Sequence, residues 1–307
     1  MNLSQISKLT EDEARAYFER IRWPNGPTCA HCQSTEATKL QGQKHRTGLY
    51  KCRGCGEQFT ATVSTILEDS HLPIRTWMMA FAILCSAKKG VSALQLQRQL
   101  GLGSYRTAWH LCHRIRHAMD REPLKGLLGM GGGTVEADET YVGGKPRRGT
   151  GRHIRGRGTS KTPVVGLVER GGRVRAHVIP DATGPTLKAA VRAHVDPSAR
   201  LMTDELRSYS GLGKEFAGGH EVVRHSVGEY VRGEASTNEV EAFFGLFKRG
   251  VMGSFHHISK KHMNKYLNEF SFRWDLRKVS DGERTEEAIR ASEGRRLMYK
   301  QPIDQAS

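Results

Sequence analysis

Two spacings of apolar residues divide the chain. Up to about residue 119 they recur mostly every three or four positions, the period of a helix buried on one face. "LTEDEARAYFERIRW" opens at Thr10, and Glu13 three positions on completes a capping box. "PIRTWMMAFAILCSAKKG" reads as a mostly apolar helix between Pro73 and Gly90, with Cys85 a small core residue. "VSALQLQRQLGLGSYRTAWHLCHRIRHAM" breaks at Gly101 into two helices, capped by Ser92 and Ser104. In the second, Ala108, Cys112, Ile115 and Met119 form the inward stripe. Arg106, His110, His113, Arg114, Arg116 and His117 take the other faces. A tight glycine turn leading into a basic second helix fits a helix-turn-helix; an ordinary hairpin with a solvated basic face fits equally well.

Glycine-rich "KGLLGMGGG" (125–133) ends the helical period. Alternation then takes over, the period of a strand. It predicts a strand over 134–141, with Thr134, Glu136, Asp138 and Thr140 on one face and Val135, Ala137, Glu139 and Tyr141 on the other. "TPVVGLVERGGRVRAHVIP" is two strands around a Gly-Gly turn, "TLKAAVRAHV" a helix, "ARLMTDE" a short buried strand ending at Asp204, and "EVVRHSV" another strand. "STNEVEAFFGLFKRG" (236–250) is a helix with a predicted Ser236–Glu239 capping box. Val240, Phe243, Phe244 and Phe247 line its core side, and Asn238, Glu241, Gly245 and Lys248 lie on a neighbouring face. "SKKHMNKYLNEFSFRWDLRK" buries Met263, Tyr266, Leu267, Phe270 and Trp274. The order β-β-β-α-β-α-β-α predicts an α/β, ribonuclease-H-like sheet flanked by helices. The expected domains are 1–66 (helix and cysteine-bearing ribbon), 67–128 (helix-turn-helix-like), 129–280 (α/β) and a C-terminal tail over 281–307.

Charge and cysteines change the picture. A formal net charge of +16 over 307 residues points to a polyanion, with nucleic acid ahead of an anionic membrane surface. The longest apolar run, "WMMAFAILC", is too short to span a bilayer, and no signal-peptide core is seen, so a cytoplasmic protein with reduced thiols is expected. No phosphate-binding loop of the Walker type suggests ATP use. Cys29, Cys32, Cys52 and Cys55 form two CxxC pairs separated by nineteen residues. Two such pairs on two turns close a tetrahedral shell around structural zinc; His31 and His45 stand nearby as substitute ligands. "GLYKC" and "EQFTATV" alternate like the strands of a zinc ribbon. "GGKPRRGTGRHIRGRGTSK" (143–161) carries seven Lys or Arg, six Gly and no acid. It cannot build a core, and is expected as a loop laid along phosphates through Arg147, Arg148, Arg152, Arg155 and Arg157.

Carboxylates in a buried strand of so basic a chain need a partner. Asp138, Asp204 and Glu241 lie 66 and 37 positions apart, yet the predicted sheet and helix can bring them together. Hard oxygen donors of this kind suit Mg2+ or Mn2+, and a pair of such ions supports in-line phosphoryl transfer. Lys248, two turns beyond Glu241, is placed to hold a phosphate, with Arg249 beside it. Singly, each acid has an ordinary use: Asp138 as partner of a loop arginine, Asp204 as a strand-end cap, Glu241 in a surface pair. Glu136, Glu139 and Glu205 are neighbouring acids without an assigned role.

"CAHC…CRGCGEQF", "VEADETYVGGK", "LMTDELRSY", "TNEVEAFFGLFKRG" and "GSFHHISKKHMNKYLNEFSFRW" together resemble the zinc-ribbon insertion-sequence transposases of the ISXO-like group, which carry a DDE-type catalytic domain. The resemblance runs from about residue 20 to about 280. It implies a bacterial mobile element whose homo-oligomeric enzyme works at the nucleoid, with no membrane partner. The implied substrates are double-stranded DNA at the terminal inverted repeats and at the target. Asp138 and Asp204 match the first two catalytic acids; "TNEVE" offers both Glu241 and Asn238 as the third. Lys248, Arg249, Arg106 and Arg114 are the further expected DNA contacts. Two other readings remain: a DNA-binding regulator without catalysis, and a nuclease of the same fold that cuts without joining.

Overall fold

The computed structural model describes residues 1–42, 44–120, 126–143, 159, 161–224 and 236–298. It divides into two compact units, Met1–Asp120 with Lys278–Ser307, and Arg121–Arg277. Among the described residues no helix is long and apolar enough to cross a membrane.

In the first unit, α1 (Leu3–Ser7) and α2 (Glu11–Arg22) precede a small antiparallel sheet of β1 (Ala37–Lys39), β2 (Tyr50–Cys52) and β3 (Gln58–Phe59). The Thr10–Glu13 capping box starts α2 as expected. Trp23 meets Tyr50 and Phe59 edge-on, with ring centroids 5.4 and 5.8 Å away, which seats the ribbon on the end of α2. The second ribbon strand is shorter than expected: past Phe59 the chain turns instead of continuing through "TATV".

α3 (Ile74–Ser86) is the axis of this unit, and Trp77, Met78, Phe81 and Leu84 on it are buried. Its first turn lacks a side-chain cap of its own. The Glu11 carboxylate supplies one from α2, accepting the N–H groups of Ile74 at 2.6 Å and Arg75 at 3.2 Å. α4 (Ala93–Leu100) and α5 (Tyr105–Ala118) follow, capped by Ser92 and Ser104, with Gly101 left-handed between them. The segment expected as a tail begins instead with α9 (Asp281–Arg290), a capped helix whose Arg284 donates to the Cys85 carbonyl of α3 at 3.0 Å. Ala288 and Ile289 give it the buried face that holds it there.

The second unit is built on five strands in the order β6-β5-β4-β7-β8. β4 (Thr134–Val142), β5 (Thr162–Glu169) and β6 (Val174–Val178) form an antiparallel meander; β7 (Arg200–Asp204) and β8 (His220–Val223) run parallel to β4. α6 (Gly184–His194) covers one face, against Val135, Ala137, Val165 and Leu167. α7 (Asn238–Gly250) and α8 (Met263–Asp275) cover the other, where Val240, Phe243, Phe244, Phe247 and Phe270 meet Val164, Val168 and Val174. Each fully buried aromatic of this set contributes roughly 1.5–3 kcal/mol. The helix expected between β7 and β8 is replaced by two short 3-10 turns at Arg207–Tyr209 and Leu212–Lys214. "GLGKEFAGG" has four glycines in nine residues, a poor helix former.

The start of α7 also departs from expectation. The helix begins at Asn238, and Thr237, its N-cap residue, makes no side-chain cap. The Ser236–Glu239 box does not form. The Glu239 carboxylate instead accepts the Gly171 N–H at 2.9 Å. The orphan N–H groups of Glu239 and Val240 go to Glu136 of β4, at 2.7 and 3.1 Å.

Candidate functional site

Four thiols gather first. The Sγ atoms of Cys29 and Cys55 are 3.7 Å apart, and those of Cys32 and Cys52 are 3.6 Å apart. All four lie within 4.8 Å of one another, the spacing of ligands around one tetrahedral ion. Among these facing thiols Cys52 is the one turned toward the thiolate form, chiefly by the backbone N–H of Cys55, while the neighbouring sulfurs push the Cys32 and Cys55 thiols up. A positive φ of 78° at Gly56 lets the second CxxC fold back under its own turn. An all-sulfur set with four members fits a structural zinc and leaves no position for a reacting group.

The acids gather at the sheet. β4 and β7 pair in parallel, with Thr134 opposite Arg200 and Ala137 opposite Thr203, an offset of 66. Asp138 and Asp204 differ by the same 66, so they stand level on adjacent strands. Opposite Asp138 on its other side is Gly166 of β5. A Cβ there would come within 2.6 Å of Phe244 Cζ and 3.1 Å of Val240 Cγ2, so the glycine is what lets α7 lie close over this part of the sheet. Glu241 follows Val240 in that helix.

One oxygen of each acid is held locally. Asp138 Oδ1 accepts the Glu139 N–H at 2.8 Å, Asp204 Oδ1 accepts the Leu206 N–H at 3.1 Å, and Glu241 Oε1 accepts the Thr237 hydroxyl at 3.1 Å. Asp138 is half-buried, and its pKa is raised to about 8. Burial is the largest cause, followed by the charges of Glu139 and Asp204, with Glu241 adding to them. Lys248 feels the charge of Asp138, which raises its pKa against a larger depression from desolvation and a further one from Lys161. The acids are spread more widely than the thiols, since among the described residues only the four cysteines close to within 4.8 Å. An acid whose charged form is disfavoured by burial and by neighbouring carboxylates, as at Asp138, suits a divalent cation, which favours the charged form.

The other expected contacts divide. Asn238 is exposed on the first turn of α7, and Lys248 and Arg249 are exposed on its last turn. Arg106 is exposed at the start of α5 beside Tyr105, itself 53% exposed. Arg114 is a correction: its Nη2 donates to the Glu68 carbonyl, its guanidinium lies 5.3 Å from the centre of the Trp77 ring, and only 7% of it is exposed. His113 and Arg116 are buried too, so α5 is not basic all round its outer surface. Arg147, Arg148, Arg152, Arg155 and Arg157 lie outside the described residues.

Glu136, Glu139, Arg170 and Tyr209 have roles that no motif in the sequence announces. Glu139 accepts from the Tyr209 hydroxyl at 3.1 Å, which ties β4 to the turn after β7. Glu136 is completely buried and pairs with Arg170. Its signal was present: it shares the strand face of Asp138, and a charge turned into a core must find partners there.

Residues 130–275 match a family model described as the ISXO2-like transposase domain, and residues 9–58 match one described as the transposase zinc-ribbon domain. A relative described as a protein in the transposable element ISH50 of Halobacterium salinarum is 30% identical over 281 residues, covering 87% of this chain and 92% of the relative. No solved structure matches the chain.

Proposed function

The chain belongs to the ISXO2-like family of zinc-ribbon insertion-sequence transposases, and from that premise we propose that it cuts transposon ends and joins them to target DNA at Asp138, Asp204 and Glu241. The observation that carries this reading is the register that sets Asp138 level with Asp204, beneath the helix bearing Glu241. The strand order, with three antiparallel strands followed by two parallel ones and helices on both faces, supports a ribonuclease-H-like fold for this unit.

The three carboxylates fit two divalent cations, Mg2+ or Mn2+, with Asn238 a neutral co-ligand on the same helix. Such ions, when bound, activate the nucleophile and stabilise the leaving oxygen. Water attacks a phosphodiester at the transposon end, and its P–O3′ bond breaks to release a 3′-hydroxyl. That hydroxyl then attacks a target phosphodiester; one bond forms as another breaks, so no outside energy source is needed. Lys248 and Arg249, on the last turn of α7, hold phosphates of the strand being cut. The ribbon and the exposed start of α5, with Arg106, grip the inverted repeat, and two ends are held by more than one copy of the chain.

A supercoiled plasmid carrying the DNA that flanks the coding region tests this in Mg2+. The proposal requires excised ends and joined products. Binding without cutting identifies a regulator, and cutting without joining identifies a nuclease. Either result overturns the reading.

A further inference from the structure

Glu136 is a completely buried acid whose two oxygens have divided tasks. Oε1 takes Arg170, from Nε at 3.1 Å and Nη2 at 2.9 Å. Oε2 takes the backbone N–H groups of Glu239 at 2.7 Å and Val240 at 3.1 Å, in the first turn of α7. That turn has no side-chain cap of its own. Arg170 also reaches the Ser236 hydroxyl at 2.9 Å, and Glu239 closes back onto Gly171 at 2.9 Å. The hairpin between β5 and β6, the strand β4 and the start of α7 are thus pinned at one carboxylate. A carboxylate at a helix N-terminus also meets the positive end of the helix dipole.

The position of this pin is what gives it a role. On β4 it sits two residues before Asp138 and on the same face, roughly 7 Å along the strand. On α7 it grips Val240, the residue before Glu241. Glu136 therefore links the strand of Asp138 to the turn of Glu241 by a short path of hydrogen bonds, in addition to the packing of α7 on the sheet. With both oxygens engaged, Glu136 is not itself a cation ligand.

We propose that Glu136 is the positioning residue of the acid site, holding α7 so that Glu241 shares cations with Asp138 and Asp204. This rests on the assignment of those three acids. Glutamine in its place keeps the shape, but its amide NH2 must face either Arg170 or the α7 N–H groups, donor against donor, so one side of the pin opens. Partners that orient metal ligands are worth about 10–100-fold in metal affinity.

The test uses the full-length, zinc-loaded protein with Mn2+ alone as probe, followed by electron paramagnetic resonance, together with the Mn2+ dependence of DNA cleavage. Glu136→Gln is expected to weaken Mn2+ binding at least about tenfold and to raise the Mn2+ needed for half-maximal cleavage by the same factor. Cleavage recovers at saturating Mn2+, and DNA affinity is unchanged. Glu136→Asp, which keeps the charge but shortens the reach, falls between; it carries the test if the glutamine variant does not fold. A merely structural role lowers the melting temperature and leaves the Mn2+ midpoint where it was, and that result overturns the proposal. Asp138→Asn is the reference. If it too leaves Mn2+ binding unchanged, the acid assignment has failed; if it abolishes binding while Glu136→Gln does nothing, only the positioning role has failed.

Discussion

Asp138 and Asp204 are neighbours because β4 and β7 pair in parallel with an offset of 66 residues, the same number that separates the two acids in the chain. Main-chain hydrogen bonding therefore sets their relation before any side-chain contact does. Replacing Asp138 by Asn keeps the size and that register while removing the charge. Cleavage should fall below detection while DNA affinity stays within about twofold, since phosphate contacts dominate affinity. Gel shifts and end cleavage on the same preparation check this; parallel loss of both would mark Asp138 as structural.

The crowding around Asp138 has a pH signature. Its carboxyl is held up to about 8 by burial, then by Glu139 and Asp204. Between the ordinary carboxyl range and pH 8 the native state keeps a proton that the unfolded chain has lost. Stability therefore falls as pH rises through that window. A divalent cation favours the ionised form and removes the fall. In thermal melts of zinc-loaded protein from about pH 5 to about pH 9 without Mn2+, the wild type should lose stability relative to Asp138→Asn as pH rises, and Mn2+ should remove that relative loss. Identical slopes in all three cases would contradict a shared cation site.

Gly166 faces the underside of α7, where a side chain would run into Phe244 and Val240. Gly166→Val should cost about 1–3 kcal/mol in denaturant melts through overpacking. It should also cut strand cleavage more than it cuts DNA binding, because α7 carries Glu241. Wild-type cleavage in a destabilised variant would show that the closeness of α7 does not matter to the chemistry.

Arg106 and Arg114 share one helix and should part company in salt titrations. Arg106→Ala should lower the salt slope of DNA binding by about 1. Arg114→Ala should leave that slope alone and destabilise the protein by about 1.5–3 kcal/mol, the worth of a hydrogen bond from a buried charged group. The reverse pattern would return Arg114 to the DNA face.

The four cysteines predict one zinc per chain. Co2+ exchanged into the site should give the charge-transfer and visible bands of tetrahedral sulfur ligation, and Cys52→Ser should abolish them. Because structural zinc carries apparent binding energies of about 10–16 kcal/mol in small peptides, chelation should unfold the ribbon. Intact circular dichroism and DNA binding after chelation would argue against a metal-built ribbon.

Much of this was legible in the sequence, for identifiable reasons. Paired CxxC spacing, the Thr10, Ser92 and Ser104 caps, and the Val240–Phe243–Phe244–Phe247 stripe are local signals, and local signals survive without coordinates. What stayed hidden was tertiary. Ser236 and Glu239 spell a capping box, yet Glu136, about a hundred residues away, caps the helix instead and Glu239 turns to Gly171. Arg114 looked solvated because helical spacing places a residue on a face without saying what covers that face; Trp77 and the Glu68 carbonyl do. Residues 281–290 have little apolar content; the Ser280–Glu283 box that starts their helix is a local signal, but the burial that holds the helix comes from α3 beside it.

Where the cation sits is the most direct question. Fe2+ in place of Mg2+, with peroxide and ascorbate, generates hydroxyl radicals that cut the polypeptide beside the bound ion. Cuts clustered at residues 138, 204 and 241, all lost together in Asp138→Asn, are the predicted result. Cuts at one of the three alone, or cuts at 204 and 241 that persist without the Asp138 carboxylate, would show that the acids do not serve one site.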